Sequence, residues 1–241
     1  MFIKNDPVLT EILRKNGHLF LPVVPFDPKK DRLLLMDFTS ANPELGAGLA
    51  GGFEGLGVYV EEQLQRSGCR YGIGGYDENR TVYSMSRVFD DAVEPRRLHL
   101  GIDIWGKAGT PVYVPIGGMI HSFAFNDRVG DYGATIILKH QLQTAVFHTL
   151  YGHVSVSDLG KLREGQYLNQ GQLLAHIGTP SDNGNWPPHL HFQLIRDMHM
   201  KRGDYPGVCK WSDREKYISN SPDPDLVLQM MKYARKEPVT P

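Results

Sequence analysis

Between residues 98 and 195 the chain is written in short runs of alternating apolar and polar residues, separated by Gly, Pro, Asn and Asp. A period of two places successive side chains on opposite faces of a strand, so each run has one face for a core and one for something else. The runs fall at 98–104, 111–114, 119–125, 135–140, 146–151, 173–177 and 190–195. Short strands at this spacing predict a mainly β fold, an antiparallel β-sheet sandwich.

The polar faces of these strands carry the chemistry. Of ten histidines, His18, His121, His176 and His199 read as scattered surface or core residues, and His99, His140, His148, His153, His189 and His191 are the candidates for chemistry. Leu98, Leu100, Ile102 and Ile104 alternate with His99, Gly101 and Asp103, so His99 and Asp103 share a face. Four residues along a straight strand span about 13 Å, too far for both to ligate one ion. A bend or bulge at Gly101, which has no side chain to obstruct one, is therefore a structural requirement of any shared site. The second group is His189, His191 and Gln193, set against Leu190, Phe192 and Leu194. Pro187 and Pro188 donate no ladder hydrogen bond, so this strand begins at His189. His153 follows Tyr151 and Gly152 at the end of a third run and is expected at a mouth. His148 shares parity with Leu150 and reads as structural. His140 ends a strand and is open to either role.

Histidine and carboxylate donors of this kind suit a hydrolytic Zn²⁺ site, which takes about three N/O ligands and keeps a fourth position for water. Such an ion lowers the pKa of its water from 15.7 to about 7. Neutral histidines beside it accept the proton and return one to a leaving amine. Other divalent metals accept the same donors. Each piece alone is also what an exposed polar strand face looks like.

The ordered combination is more specific. His99…Asp103, then Tyr151-Gly152-His153, then Pro188-His189-Leu190-His191-Phe192, resembles the lysostaphin/LytM-like zinc metallopeptidases, a peptidoglycan endopeptidase superfamily. Gly109-Thr-Pro-Val-Tyr-Val-Pro115 and the glycine-spaced stretch from Gly165 to Gly178 are similar to further family segments, so the resemblance spans about residues 96–196. It implies a lysostaphin-like sandwich with His99, Asp103 and His191 as zinc ligands. His153 and His189 become the catalytic pair that orients the attacking water and stabilises the tetrahedral intermediate. The substrate it implies is a peptide, of glycyl or D-amino-acid cell-wall type. Two departures stand out: residues 181–188 replace the usual Ser/Thr-Gly lead into the last motif, and the chain shows no leader. Residues 74–80, 130–133, 135–139, 183–191, 203–207 and 221–225 resemble a narrower subgroup found fused to kinase-like and class III aminotransferase domains. That likeness implies an alternative function, a catalytically silent metal-binding or regulatory module of the same fold in a cytoplasmic kinase/aminotransferase pathway.

Further candidates for substrate contact are Arg80, whose planar fork suits a carboxylate, the hydroxyls of Tyr113 and Tyr132, and Asn185 and Trp186 beside the last motif. Arg80 also fits a salt bridge. The flanks are expected to be helical extensions: a mixed α/β segment over 1–95 packing on a core at 96–200, and a helical tail over 201–241. Asp6-Pro7 starts one helix, a second runs over 52–66 and ends at Gly68, and Ser212 with Glu215 forms a capping box. Twenty-six basic against 27 acidic residues give a net charge of −1, which excludes a strongly basic nucleic-acid binder. Cys69 and Cys209 are too few for a disulfide framework. No run has the 18 or so apolar residues of a membrane span. Without an export signal the expected location is cytoplasmic, unless a leader once preceded this sequence.

Overall fold

The fold is taken from a computed structural model in which residues 7–236 are described. Among these, nine strands form one sheet in the spatial order Tyr167–Leu168, Gly118–Asn126, Gly133–Leu142, Ala145–Val154, His189–Ile195, Ile102–Trp105, Tyr71–Gly74, Leu33–Leu35, Ala234–Arg235. Neighbours are antiparallel except at the last edge, where Leu33–Leu35 runs parallel to both its partners. Alternate residues of the central strands, among them Ile102, Ile104, Ile136, Leu138, Tyr151, Leu190, Phe192 and Leu194, pack into one buried cluster. Val112, Leu174 and Ala175 from a small antiparallel pair, Pro111–Tyr113 with Leu173–His176, and Val114 just beyond it close the same cluster from the other side. The mainly β, two-layered expectation holds, with the parallel edge as an addition.

The opposite face of the large sheet is covered by polypeptide from both flanks. The helix Gly52–Ser67 ends with Gly68 at φ 63°, the left-handed position expected of it. It brings Phe53 edge-on to Trp186 at 4.8 Å, and Tyr83 and Phe89 from two 3-10 turns complete that aromatic cluster. The helix starting at Pro7 runs to Asn16, whereas the Asp6 cap lies outside the described residues. The expected capping box is absent. Residues Trp211–Asp213 form a 3-10 turn, the following helix Arg214–Asn220 begins after Asp213, and the Ser212 amide instead donates to Glu94. No helix of the described residues is long and apolar enough to cross a membrane.

The break required at Gly101 is present. Leu98–His99 pairs with Glu78–Asn79 on one side and Val208–Cys209 on the other, in a three-stranded sheet of its own. Ile102–Trp105 joins the large sheet. The chain changes sheets across Leu100 and Gly101, which turns His99 back over Asp103. A Cβ at Gly101 would lie 2.4 Å from His191 Cε1 and 2.9 Å from the Phe192 carbonyl oxygen. Gly101→Ala is therefore expected to cost about 1–3 kcal/mol, the usual penalty for overpacking. A lowered urea midpoint is the expected signature.

Candidate active site

His99, Asp103 and His191 come together below the surface, at 0%, 2% and 3% exposure. His99 Nε2 lies 2.9 Å from His191 Nδ1 and 3.3 Å from Asp103 Oδ1, and His191 Nδ1 lies 3.0 Å from the same oxygen. A tetrahedral ion bound at about 2.0–2.2 Å holds its ligands roughly 3.3–3.6 Å apart. The measured separations are close to that size.

Hydrogen bonds at the far side of each ring decide what the near side offers. His99 Nδ1 faces the Gly75 carbonyl at 2.9 Å and must donate to it, which leaves Nε2 as a lone pair. Gln193 settles His191. Its Nε2 donates to the Pro206 carbonyl and to Ser221 Oγ, so its Oε1 faces His191 Nε2 at 3.0 Å and requires a proton there. His191 Nδ1 is then a lone pair too. Two imidazole lone pairs and a carboxylate oxygen converge with no proton among them. The fit to a cation is a matter of chemistry as well as distance.

Asp103 divides its two oxygens. Oδ1 faces the histidines, while Oδ2 accepts from Arg80 Nη1 at 2.5 Å. Arg80 also donates from Nε to Glu78 at 2.6 Å and is 1% exposed. Burial alone pushes the Asp103 carboxyl up, but His99 and Arg80 outweigh it and hold the group well below the usual carboxylate range. Two of the three Arg80 nitrogens are thus spent on carboxylates, and the sequence expectation of a substrate clamp gives way to the ion-pair reading.

His153 and His189 stand beside the triad with ring centroids 4.1 Å apart. His189 Nδ1 donates to the Pro187 carbonyl at 2.7 Å and His153 Nδ1 to the Asn183 carbonyl at 3.0 Å. Both Nε2 atoms are therefore free bases. Trp105 stacks on His189 at 4.1 Å and fixes its plane. Burial lowers His189 to about 4, and burial with neighbouring His189 takes His153 well below its ordinary value. His153 reaches the site by a route that alternation does not foresee. Gly152 lies opposite His191, so strict parity sends Tyr151 and His153 to the core together. Tyr151 goes there. A register shift between Ala134 and Ile136 marks a bulge, and His153 takes φ 63°, which turns its ring back to the histidine face.

The pocket above these groups is lined by Trp186 and Tyr132, as anticipated, but by neither Tyr113 nor Asn185. Tyr113 sits on the small strand pair and hands its amide to Val23. Asn185 is an exposed turn residue at φ 70°. Tyr132 is wedged against Gly152 and Gly207, and its hydroxyl faces His191 Nε2 at 3.2 Å. His140 is absorbed elsewhere, between the Gly117 carbonyl and Thr149. Sequence reasoning missed the supporting partners Gly75, Glu78, Asn183 and Ser221. All four lie in the segments 74–80, 183–191 and 221–225 that drew notice for another likeness, and Gln193 was marked by its parity with His189 and His191.

Residues 97–202 match the family model Peptidase family M23. The chain is 29% identical over 146 residues to the L-Ala--D-Glu endopeptidase of Bacillus subtilis (strain 168), covering 56% of this chain and 43% of that protein. It is 31% identical over 125 residues to the DD-carboxypeptidase/endopeptidase Mpg of Neisseria meningitidis serogroup B, covering 50% and 26%. The chain therefore spans less than half the length of these curated relatives. Among solved structures, a zinc containing peptidase from Vibrio cholerae shares 26% identity at a TM-score of 0.33, over 41% of this chain and 27% of that one. The catalytic domain of lysostaphin from Staphylococcus simulans shares 22% at a TM-score of 0.35, over 50% and 80%. Residues 97–202 are thus similar to Peptidase family M23 and to these curated peptidases.

Removing Arg80 would leave Asp103 buried without its counter-charge. Arg80→Met is expected to destabilise by about 3–5 kcal/mol, read from the denaturation midpoint, with Arg80→Lys recovering part of the loss. A pH effect follows from the buried imidazoles, since burial also lowers His99 to about 4. Unfolded histidine takes up its proton near 6.5, so between about 6.5 and 4 the unfolded state of the metal-free protein binds more protons. Stability is fully present above that window and falls as pH drops through it. Melting temperatures of the metal-free protein at pH 7, 6, 5 and 4.5 should decline in that order.

Proposed function

We propose that this protein is a zinc-dependent metallopeptidase that hydrolyses a peptide amide bond. The observation that supports this most is the paired arrangement of tautomers: three converging donors in His99, Asp103 and His191, beside two free Nε2 bases in His153 and His189. A silent metal-binding module would need the first set and not the second. Glycyl or D-amino-acid peptides are the proposed substrates, by likeness to the cell-wall peptidase family.

His99, Asp103 and His191 would hold the ion, which supplies Lewis-acid polarisation of water and of the scissile carbonyl. The chain does the rest. His189 and His153, each fixed by a backbone carbonyl, accept hydrogen bonds from the attacking water and orient its lone pair to the carbonyl carbon. As the C–O bond forms, the water's proton passes to an imidazole Nε2. That imidazole then protonates the amine nitrogen as the C–N bond breaks, and the remaining hydroxyl proton follows it, giving one new carboxylate and one ammonium group. Arg80 keeps Asp103 ionised throughout, and the Trp105 ring keeps His189 from turning away.

The test separates the two sets. Plasma mass spectrometry of purified protein should find about one zinc per chain, lost in His191→Ala and retained in His189→Ala and His153→Ala. All three variants should lose hydrolysis of a glycyl and D-alanyl peptide panel by at least two orders of magnitude, the usual scale for a general acid–base group. Wild-type protein that neither contains nor acquires zinc would overturn the proposal.

A further inference from the structure

The cleft above the histidines is lined in part by both flanks. Its volume is about 430 Å³, near the lower end of the roughly 300–1,000 Å³ typical of small-molecule sites. Its floor is His153, His189, His191 and Asp103, all buried. One wall, from Arg80 to Arg96, precedes the family segment and brings Tyr83 and Phe89 over the opening. The opposite wall, from Asp204 to Val208, follows it. A cavity of about 430 Å³ accommodates a short peptide.

The charged side chains lining the cleft lean towards cations, with Arg80, Arg87, Arg96 and Arg128 against Asp103, Asp131 and Asp204. Among the described residues, two buried side-chain atoms lining it lack any partner, Arg80 Nη2 and Trp105 Nε1. Both only donate, and Arg80 and Trp105 each pack on the Phe38 ring, at 5.3 and 5.1 Å. Buried donors of this kind call for an acceptor. The mouth repeats the bias. Arg87 and Arg128 are exposed on its rim, and the side chains of both make no hydrogen bond or ion pair with the described residues. Arg96, between them in sequence, lies over Phe89 at 5.6 Å and donates to the Val88 carbonyl. Against these three stand Asp131 and Asp204. Arg87 and Arg128 thus carry forks free of hydrogen bonds at the pocket lining, Arg128 close enough to Asp131 to act on its charge, and such forks are the chemistry that selects a carboxylate.

We propose that the cleft takes short peptides with a free carboxylate, held by Arg87 and Arg128 at the mouth while the amide enters towards the histidines. This rests on the peptidase reading for the identity of the ligand as a peptide, but it is tested by binding rather than by turnover. The probes are di-, tri- and tetrapeptides of glycine and D- or L-alanine, each as free acid and as C-terminal amide, titrated calorimetrically into the zinc-loaded full chain. The best-binding acid should bind at least tenfold more tightly than its amide, and the preference should shrink with added salt. In Arg87→Gln/Arg128→Gln the acid should weaken to the level of the amide, with the amide's own affinity unchanged. Equal affinity of acid and amide, binding by none of the acids, or an undiminished preference in the variant would each overturn the proposal. So would release of soluble fragments from intact cell-wall sacculi at a rate matching that of the short acids. Tight acid binding with no hydrolysis of any probe would instead sustain this inference while failing the peptidase reading.

Discussion

Everything at the centre of this protein depends on how the Asp103 carboxylate is shared. One oxygen completes a cluster of three converging lone pairs, and the other is held by a buried guanidinium. Neither half stands alone. Without Arg80, an ionised carboxylate in this dry setting would face a desolvation penalty of several kcal/mol and would tend to take up a proton. Protonated Asp103 would be a poor donor to a cation. Conversely, Arg80 at 1% exposure needs Asp103 and Glu78 to be tolerated at all. The ion pair therefore serves the site first and stability second, in keeping with the weak net contribution of buried pairs to folding.

The surrounding architecture supplies acceptors that leave each imidazole a single tautomer. Gly75, Pro187 and Asn183 do so with backbone carbonyls, which no side-chain rotation can remove. His191 is the exception, held by a side-chain amide that is in turn oriented by Pro206 and Ser221. The tail of the chain thus reaches the donor set through one glutamine. Such outer partners raise ligand basicity and fix ring orientation, and they are as much a part of a metal site as its ligands.

The flanking segments act on the same centre by a different route. Residues before 97 provide Arg80 from below and the Tyr83–Phe89 wall from above, so the segment that matches the peptidase family does not form the cleft by itself. The three-stranded sheet that carries His99 draws one strand from each flank, at Glu78–Asn79 and Val208–Cys209. Enclosure and ligand geometry are therefore built by the same contacts.

Much of this was legible in the residues. Alternation put His99 with Asp103 and His189 with His191 and Gln193, because the pleat of a strand fixes side-chain direction over two to four residues. The need for a break at Gly101 followed from distance alone, and residues 98–105 divide there between two sheets. Longer-range matters were not legible. His153 lies on the wrong parity for its role, and only the bulge and its left-handed backbone return it to the site. Tyr113 and Asn185 were suggested by their neighbours in sequence, yet they face away or outward. Arg80 carries the same fork whether it meets a substrate or a buried aspartate. The sequence by itself determined the mainly β class, the donor types and the faces they occupy. The tertiary structure decided which faces meet, because His191 and Asp103, 88 residues apart, converge only through the pairing register of non-adjacent segments. It also decided what stands behind each ring, since backbone carbonyls look alike in every sequence and acquire a role only from where the fold places them.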